Sequence, residues 1–137
     1  MTYIVLMVIS ATVIALLGAA HLILTYRGPK LLPRDPELRH AMDQDSPVIT
    51  KQTTMWRAWL GFNASHSLGA LLFGFVYGYL ALAHPQVLFS SAPLLVFGLL
   101  TLLAYLLLAK AYWFVSPLTG ISISLVCYVL SILIYLS

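Results

Sequence analysis

Charged side chains in this chain are gathered into one stretch, and apolar runs of membrane-crossing length occupy most of the rest. The first run extends from Ile4 to Tyr26 and the second from Ala58 to Ala83, neither holding a formal charge. A third goes from Ala92 to Ala109 and stops at Lys110, and a fourth goes from Pro117 to Leu136. A helix needs about 20 predominantly apolar residues to cross a bilayer core. The pattern predicts an all-α integral membrane protein, one four-span domain over residues 1–137, with helices over about 3–26, 54–83, 92–113 and 117–136. Short connections after the second and third spans make neighbours antiparallel, as in a four-helix bundle, with a long loop over residues 27–53.

Composition agrees. Of 137 residues, 61% are hydrophobic and 8% charged, whereas a soluble domain is about 25% charged. The first run resembles a secretory signal only superficially: no basic leader precedes it, and it exceeds the length of a signal core. Ala19-Ala20-His21 is a poor cleavage site, so this run reads as a span.

Six basic residues, Arg27, Lys30, Arg34, Arg39, Lys51 and Arg57, lie between or beside the first two spans. The seventh, Lys110, ends the third span, on the same side in an antiparallel arrangement. The positive-inside rule puts that side, and loop 27–53, in the cytoplasm, with both termini outside. Contact with anionic headgroups accounts for the net charge of +3 without a nucleic-acid partner. The loop holds every carboxylate: Asp35, Glu37, Asp43 and Asp45. Asp43 and Asp45 are two apart, the wrong spacing to share a helix face, so no metal is assigned there. Asp35 is positioned to cap a short helix from Pro36 to about Met42, carrying Leu38 and Met42 on one face. A threonine among Thr50, Thr53 and Thr54 is the expected N-cap of the second span.

The second span is the chemically unusual one. Its entry, Trp56-Arg57-Ala58-Trp59, has the composition of an interfacial anchor, with Arg57 able to snorkel to headgroups or reach an anionic group. Further in come Asn63 and His66, three residues apart and so able to touch or share a partner. Trp59, Asn63, His66 and Phe73 fall in one sector at helical spacing. On the first span, Tyr3, Ser10, His21 and Thr25 also share a sector. His21 lies six residues before Arg27, about 9 Å from that end, and His66 seven after Trp59, about 10 Å deep, at 1.5 Å per residue. If both polar faces turn inward, equal depth on helices joined by one loop brings His21, Asn63 and His66 into one cluster near the cytoplasmic leaflet.

Polar side chains within a span often mark function. Two imidazoles could bind haem or a transition metal, with His21 and His66 as ligands, relay a proton, or grip a quinone with Asn63 donating a hydrogen bond. The bland alternative is that each ring bonds a neighbouring polar group and holds helices together. His40 in the loop and His84 before Pro85 add nothing, and the Asn63-Ala64-Ser65 sequon is silent inside a span.

Small residues indicate packing. Gly74 and Gly78 form a GxxxG pair, extended by Ser65 and Gly69. In the fourth span Gly120, Ser124, Cys127 and Ser131 follow a helical stripe, with Cys127, the only cysteine, read as a small buried hydrophobe. The third span is Leu-rich, with Thr101 and Tyr105 its polar handles, and is expected to face lipid or a partner.

The block Trp56-Arg57-Ala58-Trp59-Leu60-Gly61-Phe62-Asn63-Ala64-Ser65-His66-Ser67-Leu68-Gly69, with Pro33-Arg34-Asp35 and Thr53-Thr54-Met55 before it, resembles a family of short bacterial four-span membrane proteins. The resemblance covers about the first half of the chain and carries over no activity. It implies only a signature role for the Trp-Arg to His-Ser segment, and the expected location is the bacterial inner membrane. The expected function is a non-enzymatic accessory subunit or lipid- or small-molecule-binding module, with Arg57, Trp59, Asn63, His66 and His21 as ligand-binding residues. The alternative is a redox or metal- or haem-dependent membrane enzyme using His21 and His66; a transporter or proton path ranks third. Expected partners are the bilayer, a small hydrophobic ligand or quinone, and further copies of the chain or a larger membrane complex.

Overall fold

The computed structural model describes residues 1–137, all of whose regular structure is helical. The helices are α1 (Thr2–Tyr26), α2 (Pro36–Gln44), α3 (Met55–Ala83), α4 (Pro85–Ser90), α5 (Ala92–Tyr112) and α6 (Val115–Leu136). Four of them, α1, α3, α5 and α6, are long and apolar enough to cross a membrane. Their bounds match the expected spans to within two residues. The helix α4 was not foreseen. Proline at its first position supplies a helical φ, and burial of Leu88 and Phe89 holds the turn, but six residues are too few to show a period.

The chain forms two compact units, one of Met1–Leu17 with Ala70–Ser137 and one of Gly18–Gly69. In the first, the core comes from positions at steps of three and four: Met7, Ala11 and Ile14 on α1, and Ala70, Phe73, Tyr77 and Ala81 on α3. Leu102 and Ala109 on α5 join them, with Ile121 and Tyr128 on α6. That spacing is one helix face. The opposite faces leave Leu72, Phe75, Leu107 and Leu133 exposed, a surface suited to lipid rather than to water. The Leu-rich α5 is thus one-sided, burying Gly98, Leu102 and Ala109.

Hydroxyls tie α1 to α6. Ser124 Oγ donates to the Ser10 carbonyl at 3.0 Å. With that hydrogen committed, the 2.8 Å contact between the two hydroxyls has Ser10 donating to Ser124. Ser131 Oγ donates to the Tyr3 carbonyl at 2.6 Å. All three serines are fully buried. The α6 stripe is therefore a packing face, with Cys127 half-buried at its edge. In Ser124→Ala both Ser10 groups lose their partner, and we expect about 1 kcal/mol of lost stability on denaturant titration in detergent, the scale of interhelical hydrogen bonds in membranes. An unchanged midpoint would contradict it.

The second unit holds the end of α1, the loop and the start of α3. After α1, Gly28 adopts φ 85°, the left-handed conformation that closes helices. Asp35 caps α2 by accepting the Glu37 N–H at 2.9 Å, and Thr54 Oγ1 accepts the Arg57 N–H at 3.3 Å, both in the expected roles. Arg39, ion-paired with Asp43, lies over the Trp56 ring at 3.7 Å. Trp56 is only 8% exposed, so its ring packs within the protein. The Met55 N–H donates to the Asp45 carbonyl at 2.9 Å, joining the end of α2 to the start of α3.

Candidate functional site

The second unit brings His21, Asn63 and His66 together. Asn63 sits one turn after Trp59, close enough for its amide nitrogen to donate to the Trp59 carbonyl at 2.8 Å. That bond turns the amide oxygen toward α1, where it meets His21 Nε2 at 2.9 Å. An amide oxygen only accepts, so Nε2 carries the hydrogen, and in the uncharged ring the lone pair is on Nδ1. This tautomer follows from the bonding network. His66, three residues beyond Asn63, places its ring 5.4 Å from that of His21 at 88°, edge to face. His21 thus contacts both α3 residues, and all three side chains are half-buried.

Two nearby hydroxyls are committed to the backbone. Thr25 Oγ1 donates to the His21 carbonyl and Ser67 Oγ to the Asn63 carbonyl, each at 2.8 Å. Serine and threonine within helices commonly bond back one turn in this way, a signal the sequence already carried. Ser67 is fully buried, so this bond satisfies its hydroxyl beside the turn bearing Asn63 and His66.

Of the other expected site residues, Trp59 contributes its carbonyl, while its indole is 43% exposed. Arg57 is exposed. At 100° per residue, the nine steps from Arg57 to His66 put them on opposite faces of α3. The contact of Arg39 with the buried Trp56 ring was missed. The two lie 17 positions apart across a loop, beyond the reach of any helical period. His40 is exposed, and His84 bonds Tyr79 at 3.2 Å in the other unit.

The donor set fits a metal poorly. No group of three or more His, Cys, Asp or Glu side chains converges. Rings in direct edge-to-face contact also leave no room for a haem plane between them, as two axial imidazoles would require. The arrangement is better matched to hydrogen bonding: an acceptor at His21 Nδ1, the second amide hydrogen of Asn63, and the His66 ring beside them. Comparison of the chain with protein families, with curated proteins and with solved structures finds no match.

Proposed function

We propose that this chain is a four-helix bundle of a bacterial inner membrane, one of the short four-span proteins its Trp-Arg to His-Ser block resembles. In this reading it is a non-enzymatic module that binds a neutral amphiphile. The basic residues between α1 and α3 support a cytoplasmic loop with both termini outside. The ligand is a molecule with a hydroxyl or carbonyl head and an apolar tail, such as a quinol or quinone. Its hydroxyl donates to His21 Nδ1, or its carbonyl accepts from Asn63, and its tail runs along exposed apolar side chains of the same unit, such as Phe62 and Leu68.

The observation that carries this reading is the Asn63 amide, held by Trp59 and fixing the His21 tautomer. Helix gluing alone needs one bond between the helices. Here that bond also fixes which His21 nitrogen keeps its lone pair, in a ring that touches a second half-buried imidazole, a preorganised polar group in an apolar setting.

The test is to purify the protein in mild detergent, extract it with organic solvent and identify the bound molecules by mass spectrometry. One neutral amphiphile should be enriched over bulk lipid, and its occupancy should fall by about fivefold or more in Asn63→Leu, since losing one buried hydrogen bond costs about 1–3 kcal/mol, and should also fall in His66→Ala, which removes the ring beside His21. Helical circular dichroism should persist in both. An extract indistinguishable from bulk lipid, or equal occupancy in the variants, would reject the proposal. A visible absorption band lost in His66→Ala would replace it with the redox alternative.

A further inference from the structure

The loop between α2 and α3 carries a feature that the histidine cluster does not explain. From Asp45 to Met55 the chain closes on itself through the Met55 N–H to the Asp45 carbonyl. Within it, the Thr50 N–H donates to the Pro47 carbonyl at 3.1 Å, forming a tight turn with Val48 and Ile49 at its tip. Local bonds brace this turn on both sides: the Ser46 N–H donates to Asp45 Oδ1 at 2.8 Å and the Gln52 N–H to Thr50 Oγ1 at 3.1 Å. The backbone is fixed, yet both tip side chains project fully, Val48 at 109% exposure and Ile49 at 91%.

Turn tips in water carry Gly, Asn, Asp, Ser or Pro, which suit the backbone and the solvent. Two adjacent β-branched apolar side chains on a braced turn fit a medium that is not water. The surroundings indicate which medium. The loop is tethered at one end to α1 and at the other to α3, both long and apolar enough to cross a membrane, so the bilayer surface is always within reach. Lys51 adjoins the tip, and Arg27, Lys30, Arg34 and Arg57 belong to the same segment. The acids offset them only partly. Four carboxylates, Asp35, Glu37, Asp43 and Asp45, stand against six basic residues, so the segment keeps a net charge of +2. An apolar prong with a basic flank complements the interfacial layer of an anionic bilayer.

We propose that Val48 and Ile49 insert into the headgroup–acyl boundary of the membrane the protein spans, with Lys51 and its basic neighbours on anionic headgroups. The loop is thereby held against the membrane surface. This inference rests on the membrane-spanning reading of α1 and α3 but not on any ligand at the histidines.

The experiment places one cysteine at a time, Val48→Cys, Ile49→Cys, Gln52→Cys or Leu72→Cys, in a Cys127→Ser background. Each is labelled with an environment-sensitive fluorophore and the protein is reconstituted into vesicles of phosphatidylcholine, with or without phosphatidylglycerol. Labels at 48 and 49 should emit to the blue of the label at 52, be quenched by lipids spin-labelled near the headgroup, and resist aqueous iodide severalfold better. Their protection should deepen with phosphatidylglycerol. Iodide access at 48 and 49 equal to that at 52 would overturn the proposal. So would protection seen in cells but not in pure-lipid vesicles, which assigns the tip to a protein partner. Protection indifferent to phosphatidylglycerol would overturn the role given to charge. The label at 72, on the exposed face of α3, separates the two premises: if iodide reaches it, the spanning reading itself has failed.

Discussion

Replacing Gly74 by alanine destabilises the protein, whereas the same change one turn later, at Gly78, leaves stability unchanged or raises it. A Cβ on Gly74 would stand 2.5 Å from Ala15 Cβ, 2.7 Å from the Ala11 carbonyl oxygen and 3.1 Å from Ala15 Cα. Two of these are backbone atoms of α1, so no rotamer can relieve the clash and the helices must separate. Overpacking of this kind costs about 1–3 kcal/mol. The helix-propensity gain of alanine over glycine, about 1 kcal/mol, offsets only part of it. At Gly78 the added carbon meets only Ala11 Cβ, at an ordinary 3.6 Å, and the propensity gain stands alone. Unfolding by sodium dodecyl sulfate in mixed micelles, followed by circular dichroism, should give shifts of opposite sign, or a loss at 74 against no change at 78. Equal losses at both positions would show that the GxxxG pair acts as a unit.

Gly98→Ala should be at least as damaging, by a different route. Tyr77 and Tyr128 lay their rings over α5 and donate to consecutive carbonyls, Leu94 at 2.7 Å and Leu95 at 3.0 Å. The absent side chain at 98 makes room for both: a Cβ there would lie 2.7 Å from two atoms of the Tyr77 ring and closer still to the Tyr128 hydroxyl. The variant must move one or both tyrosines off their carbonyls within the buried core. The sum of overpacking and a lost hydrogen bond is about 2–4 kcal/mol. Tyr128→Phe removes the nearest atom, so Gly98→Ala should cost less in that background. A thermodynamic cycle with additive losses would place the strain elsewhere, since only coupled sites deviate from additivity.

Where sequence alone succeeded, the signal was local or periodic. Charge-free runs marked the four long helices, Asp35-Pro36 marked the start of α2, and depth counted in helical rises brought His21 level with His66. Asn63 and His66 were readable as neighbours because three residues make nearly one turn. What escaped has no period. Arg39 over Trp56 depends on how a loop folds back, and Ser10 finds Ser124 at a separation of 114 residues. Gly98 is an isolated glycine in a leucine-rich helix, and only the two tyrosines reveal its purpose. The GxxxG spacing was visible, but not that its two glycines differ, because that depends on where Ala11 and Ala15 lie on the facing helix.

The serine bonds between α1 and α6 also set an order of events at synthesis. The helix α1, which carries the Ser10 hydroxyl, leaves the ribosome well before its partner Ser124 is translated. At about 5–20 residues per second, the intervening 114 positions take roughly 6–23 s. Throughout that interval the α1 face destined for α6 must remain against lipid, the translocon or a temporary protein neighbour. A ribosome stalled before α6 would therefore leave a nascent product with α1 still open on one side, a natural mark for membrane quality control.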